Sequence, residues 1–388
     1  MTAFPNYDAK KIAALDAQAA AILGVFARHD YVRAEPSVLQ PADMFLDRSG
    51  EEIRRRTFAF TDPSGNELCL RPDITIPICK MYVGDGIRLP ARLCYNGLVF
   101  RHQPAEPERP TQFYQAGVEL LGVKDRAAAE TEILTLAAES MQAAGLKDYT
   151  LKVGDLGLFS AFVDALNIPA QWRGRLKRHF WRAGYFEALL ARMSKGVAND
   201  AQRLLAHLGT LRETEARAAF EGLMDLFGAA HQGARTREEI VDRLMEQAAD
   251  AALRFDPKMA KLLSQLLAIS GPAEKALAQI RTLTKSAGVR LQAPLAEMSA
   301  RLSALEALGI APNRVSFAAR FGRNMEYYTG FVFELWSRDA EGAVQVAGGG
   351  RYDTLLENLG AKKHIPAIGY AIRTERVFAA RAAQGRRK

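Results

Sequence analysis

The stretch Ile365-Pro366-Ala367-Ile368-Gly369-Tyr370-Ala371-Ile372-Arg373-Thr374-Glu375-Arg376 decides how the chain is put together. Ile365–Ile372 is β-like and apolar, and charge begins at Arg373. It belongs with three other β-like segments, Val315–Ala319, Phe331–Trp336 and Gly342–Val346. All four follow a long block, about 168 to 288, that is rich in alanine, leucine and charge and carries no strand signal. Strands on both sides of an all-helical block predict one α+β domain interrupted by an insertion. The expected bounds are 1–167 and 289–388 for the discontinuous core and 168–288 for the helical insertion.

Ahead of the block, apolar residues at Ile12, Leu15, Ala19, Ile22 and Phe26 recur at helical spacing over 8–28. Thr57–Phe60 and Glu67–Leu70 read as strands around the turn-rich Asp62-Pro63-Ser64-Gly65-Asn66. Pro72 and Asp73 open a predicted helix through Met81. Arg92–Arg101 and Gln112–Leu121 read as strands around a loop with Pro104, Pro107 and Pro110. A helix over about 126–144 and a strand at Thr150–Val153 follow. The expected sheet is mixed but mainly antiparallel and flanked by helices.

Composition narrows the class. A chain of 388 residues can bury two cores, and 48% hydrophobic with 25% charged residues is ordinary for a globular protein. No apolar run approaches the ~20 residues of a bilayer span, and the start has no export signal pattern. Cys69, Cys79 and Cys94 lack metal or redox spacing, and the six histidines form no ligand pair. A reducing cytoplasm is expected, with no metal and no cofactor. The net charge of +8 raises a nucleic-acid reading. Its main focus, Arg173, Arg175, Lys177, Arg178 and Arg182 among Trp172, Phe180 and Trp181, reads better as a helix with a solvated basic face and inward aromatics. The terminal Arg381, Arg386, Arg387 and Lys388 carry more of the charge.

Four segments carry chemistry. Leu70-Arg71-Pro72-Asp73-Ile74-Thr75 sets a carboxylate and a hydroxyl where a strand gives way to a helix, though Asp73 there also suits a helix cap. Tyr95 to Arg101 leads, past the proline-rich loop, to Gln115-Ala116-Gly117-Val118-Glu119. There Gln115, Gly117 and Glu119 share one strand face, fit for a small polar ligand close to backbone. A solvated face with Glu119 in a surface ion pair has the same spacing. Arg323 and Glu326-Tyr327-Tyr328-Thr329-Gly330 offer a fork for a carboxylate and an aromatic wall. The run Gly348-Gly349-Gly350-Arg351-Tyr352-Asp353 lets backbone approach a ligand, or makes a tight turn before a helix at about 351–359.

Together these segments, over about 8–160 and 290–380, resemble the catalytic core of histidyl-tRNA synthetase. The matching stretches are Leu70–Asp73, Phe100-Arg101, Gln115–Glu119, Arg323 with Glu326–Tyr328, Gly349–Asp353 and Gly369–Arg376. The resemblance implies a histidine pocket in which Asp73, Thr75 and Gln115 hold the ammonium, Glu119 and Tyr328 face the imidazole, Arg323 meets the carboxylate, and Tyr327 is a further histidine-binding residue. Asp73 stands for a longer glutamate of the family, and Ile74 for a glycine.

The nucleotide half departs from the pattern. Arg101 and Arg376 remain, but Gln103 replaces a glutamate, Thr111 an arginine, and Arg373 the glycine of the adenine floor. Losing several groups that position ATP and hold its charge implies that adenylation is gone. Only twelve residues follow Arg376, so no anticodon-binding domain is expected. These departures resemble the ATP phosphoribosyltransferase regulatory subunit family. That resemblance implies a non-catalytic partner of the short-form catalytic subunit at the first step of histidine biosynthesis. Histidine would be the feedback effector, and a homodimer formed around Pro36 would sit inside a larger hetero-oligomer. Two other classes stay open: a ligase that adenylates histidine or a related amine for a non-tRNA acceptor, and a tRNA- or RNA-binding module.

Overall fold

The computed structural model describes residues 7–46, 51–85, 88–103, 110–166, 168–180, 183–195, 200–226, 237–252, 256–321 and 327–386. The chain forms two compact units. One is Met1–Ala161 with Ile269–Lys285 and Arg290–Lys388, the other Phe162–Ala268 with Ser286–Val289. The return to the first unit therefore comes at Ile269, ahead of the 289 expected. Ser270–Pro272 adds a short strand to the main sheet there, and the helix Ala273–Ser286 follows it.

The strands are β1 (Val32–Arg33), β2 (Leu39–Pro41), β3 (Phe58–Thr61), β4 (Glu67–Leu70), β5 (Ala91–Phe100), β6 (Gln112–Leu121), β7 (Thr150–Asp155), β8 (Ser270–Pro272), β9 (Val315–Ala318), β10 (Phe331–Arg338), β11 (Ala343–Arg351) and β12 (Ala367–Arg373). Nine of them make one sheet in the order β1-β5-β6-β12-β11-β10-β7-β9-β8, and β2-β4-β3 make a smaller one. Pairing in the large sheet is antiparallel except for β1 with β5 and β7 with β9. This is the α+β architecture expected.

Helices cover the apolar side. Ala9–Arg28 starts where the Asp8 carboxylate accepts from Lys11 N at 2.7 Å, and it buries Leu15, Ile22, Val25 and Phe26. Arg126–Ala143 starts in the same way, with Asp125 accepting from Ala128 N at 3.0 Å. It turns Ile133, Leu134, Leu136 and Met141 inward.

The glycine run lies inside β11 and is not a turn. Gly348, Gly349 and Gly350 pair with Ala371, Tyr370 and Gly369 of β12. A Cβ on Gly349 would stand 2.2 Å from the Gly369 carbonyl oxygen, so close strand packing is what requires glycine there. The helix expected over 351–359 is confined to Leu355–Asn358.

One buried ion lattice ties this unit together. Glu130 receives Arg301 Nε at 2.5 Å and Arg351 Nε at 2.9 Å. Arg301 also reaches Asp155 at 2.7 Å, and Arg351 reaches Asp353 at 3.0 Å. Glu130, Arg301 and Arg351 are all buried.

The second unit is helical throughout its described residues apart from connecting segments. In the helix Ala170–His179, Trp172 and Leu176 are buried, as is Phe180 just after it, while Lys177 pairs with Asp164 at 2.6 Å. That matches the inward-aromatic reading. Trp181 and Arg182 lie outside the described residues.

Candidate functional site

The large sheet carries a cleft of roughly 470 Å³, mouth included, lined from β6 by Gln115 and Glu119 and from β12 by Gly369, Tyr370, Ala371 and Arg373. The antiparallel register sets Glu119 opposite Gly369, Gly117 opposite Ala371 and Gln115 opposite Arg373. Residues two apart share a face, so Glu119 and Gln115 both enter the cleft, about 13 Å apart along the strand. Small residues form the ground between them: Ala347, Gly348, Gly369 and Ala371. Gly369 is obligatory, because a Cβ there would stand 2.4 Å from the Val118 carbonyl oxygen and 2.0 Å from Glu119 Oε2.

Glu119 occupies the deep end and is 1% exposed. Thr75 Oγ1 donates to its Oε1 at 2.6 Å, and the Tyr352 hydroxyl donates to Oε2. Burial pushes the carboxyl up to about 8, and nearby Asp73 adds to the rise, against the pull of the Thr75, Tyr352 and Tyr95 hydroxyls. The same burial raises the Tyr352 and Tyr95 phenols and the Cys79 thiol well above their usual values. Burial thus outweighs the hydroxyl donors, and the carboxyl favours its protonated form near neutrality.

Asp73 plays both parts read for it. Its Oδ1 accepts from Ile76 N at 3.0 Å, near the start of the helix Thr75–Asp85, and it also lines the cleft. Gln115 is 5% exposed, and its Oε1 is a buried acceptor with no hydrogen-bond partner among the described residues. An orphaned buried acceptor carries a desolvation penalty that a ligand N–H removes. Tyr327 and Tyr328 form one wall, with ring centroids 4.8 Å apart. The Tyr352 ring stands edge-on to Tyr327 at 5.6 Å.

At the other end two guanidinium groups converge on one ring. Arg101 lies 5.5 Å and Arg373 5.1 Å from the Phe113 centroid. Arg101 Nε is fixed on the Pro72 carbonyl oxygen at 2.6 Å.

Of the predicted residues, the cleft brings together Asp73, Thr75, Gln115, Glu119, Tyr327, Tyr328, Arg101 and Arg373. Gln103 and Arg376 do not line it. Gln103 Nε2 donates to the Pro110 carbonyl oxygen at 2.7 Å, and Arg376 Nη1 to that of Gln345 at 3.2 Å. Arg323 lies outside the described residues. Tyr352 and Tyr95 stand in segments marked by the sequence, and only their tertiary approach to Glu119 gives them a part in the site. Gln345, which lines the cleft and donates to Glu334 at 2.9 Å, carried no signal.

The family model for histidyl-tRNA synthetase matches residues 5–259 and 220–377. ATP phosphoribosyltransferase regulatory subunits of Rhizobium meliloti and Chelativorans sp. are 37% and 36% identical to the chain. The alignments cover 95% and 94% of this chain and 98% and 97% of theirs. A solved ATP phosphoribosyltransferase regulatory subunit/histidyl-tRNA synthetase from Bacillus halodurans shares the fold at TM-score 0.67 and 22% identity, over 98% of this chain and 82% of its own. A histidine–tRNA ligase subunit from Alicyclobacillus acidocaldarius aligns at TM-score 0.59 and 26% identity, over 98% and 96%. With this fold, this cleft and that near-complete overlap, the chain belongs to the histidyl-tRNA synthetase-like family of ATP phosphoribosyltransferase regulatory subunits.

Proposed function

We propose that this protein is the regulatory, non-catalytic subunit of an ATP phosphoribosyltransferase in histidine biosynthesis, and that histidine is the effector it senses. Near-full-length relatives bearing that name support the first part. The observation that carries the second is the deep carboxyl of Glu119, buried with hydroxyl donors around it, together with the orphaned acceptor of Gln115. Glu119 and Tyr328 take the imidazole, and Asp73, Thr75 and Gln115 the ammonium. Each well-formed charge-assisted bond contributes about 1.5–3 kcal/mol.

The partner, a short-form catalytic subunit, joins ATP to phosphoribosyl pyrophosphate. With the cleft empty, this subunit supports that activity; with histidine bound, the complex is inhibited. The coupling between the two sites is on the order of 1–3 kcal/mol, the usual range for allosteric pairs. Homodimers meet around Pro36, where Val38 and Leu39 are exposed, inside a larger hetero-oligomer in the cytoplasm. The vestigial nucleotide end no longer supports adenylation, because the Arg373 side chain lines the cleft where the family keeps a glycine.

The test is a reconstituted complex with the catalytic subunit. Histidine inhibits the wild-type complex, whereas Glu119→Ala leaves it active and insensitive. Histidine-dependent ATP–pyrophosphate exchange by the chain alone at a synthetase-like rate would overturn the reading in favour of a ligase.

A further inference from the structure

We propose that Arg373, seated beside Arg101, recognises the carboxylate of the bound effector and so makes the cleft selective for the free amino acid. This deepens the histidine-sensor reading and rests on it. The guanidinium that closes the nucleotide end thereby has a ligand of its own.

Three observations carry it. The first is position: Arg373 pairs in register with Gln115 at one end of the β6–β12 groove, and Gly369 pairs with Glu119 at the other. An α-amino acid with a basic ring laid along that groove, ring toward Glu119, brings its α-carbon groups toward Gln115 and Arg373. The second is charge. The Arg373 and Arg101 guanidinium groups approach the same Phe113 ring, at 5.1 and 5.5 Å from its centroid, and both side chains line the cleft. Both therefore bring positive charge to the cleft, which an anionic group of the ligand can meet. The planar fork of arginine suits a carboxylate in particular.

The third is the buried Gln115 Oε1, an acceptor with no partner among the described residues, with Asp73 lining the same cleft. Together they offer an acceptor and a carboxylate in the cleft to a donor cation such as an ammonium. A cationic slot next to an anionic one matches the ammonium and carboxylate of a free amino acid. Glycine at 373 would leave this end with Arg101 alone.

The experiment is calorimetry with histidine and with histamine, which keeps the ring and the ammonium but lacks the carboxylate. The proteins are wild type, Arg373→Met, Arg373→Lys and Arg323→Met. Wild type binds histidine about ten- to a hundred-fold more tightly than histamine. Arg373→Met, which keeps an apolar stem on Phe113, loses that preference. Its histamine affinity is unchanged or higher, because a like charge has gone, and that binding also reports an intact fold. Arg373→Lys retains part of the preference. Full preference in Arg373→Met, or its disappearance in Arg323→Met alone, overturns the inference while histidine sensing stands. A wild-type protein that binds neither compound removes both.

Discussion

Two buried glutamates in the same unit have opposite surroundings. Glu130 is gripped by Arg301 and Arg351, which are held in turn by Asp155 and Asp353. Glu119, equally buried, meets hydroxyls from Thr75 and Tyr352 and keeps its proton up to about pH 8. Glu130 is neutralised by cations of the chain, whereas Glu119 is met by hydroxyls, an arrangement that suits the proposed role of receiving a ligand's basic ring. The two are linked: Arg351, gripped by Glu130, precedes Tyr352, whose hydroxyl reaches Glu119. The ion lattice therefore fixes one wall of the cleft.

Glu130→Ala breaks the comparison most severely. It removes the carboxylate shared by two buried guanidinium groups, leaving them to their aspartate partners, and costs about 3 kcal/mol of stability, measurable by denaturant unfolding. Loss of less than about 1 kcal/mol would show that the lattice is not a structural lock.

Next in size is the pH dependence of stability. Folding raises the Glu119 carboxyl from its ordinary 4.5 to about 8. Between those values the native state holds a proton that the unfolded chain has released, so this group's contribution falls as pH rises through the window. Glu119→Gln removes that slope and gains relative stability at pH 8, by a few kcal/mol at most. Melting curves of the two proteins at pH 5 and pH 8 are the comparison; parallel curves would mean Glu119 titrates normally.

The smallest effect concerns binding. The free imidazole of histidine titrates near 6.5, so between roughly 6.5 and 8 the empty site carries the proton and the ligand ring does not. Forming an imidazolium–carboxylate pair then only hands the proton across. Affinity is flat in that interval and falls about ten-fold per pH unit on either side, as calorimetry over pH 5 to 9 would record. A monotonic rise or fall through the interval would contradict the proton transfer.

Much of this was legible in the sequence. The β6 segment showed its alternation plainly, and Gln115 and Glu119 occupy the shared face that spacing demanded. The glycine run left two readings open, a tight turn or close backbone approach, because glycine serves both positive φ and close packing. None of Gly348–Gly350 has a positive φ, and Gly349 and Gly350 are required by close strand packing. The insertion boundary was missed because β8 is Ser-Gly-Pro, residues that signal a turn, and only its pairing with β9 makes it a strand. The ion lattice was invisible for another reason: Glu130, Asp155, Arg301 and Arg351 are brought together by tertiary structure and share no spacing.

The central claim is that Glu119 is held for a histidine ring, and titration calorimetry of the isolated subunit tests it most directly. Histidine added to wild type gives a saturable heat, and Glu119→Ala, with its melting temperature retained or raised, gives none at the same concentrations. Equal heats from the two proteins would contradict the account.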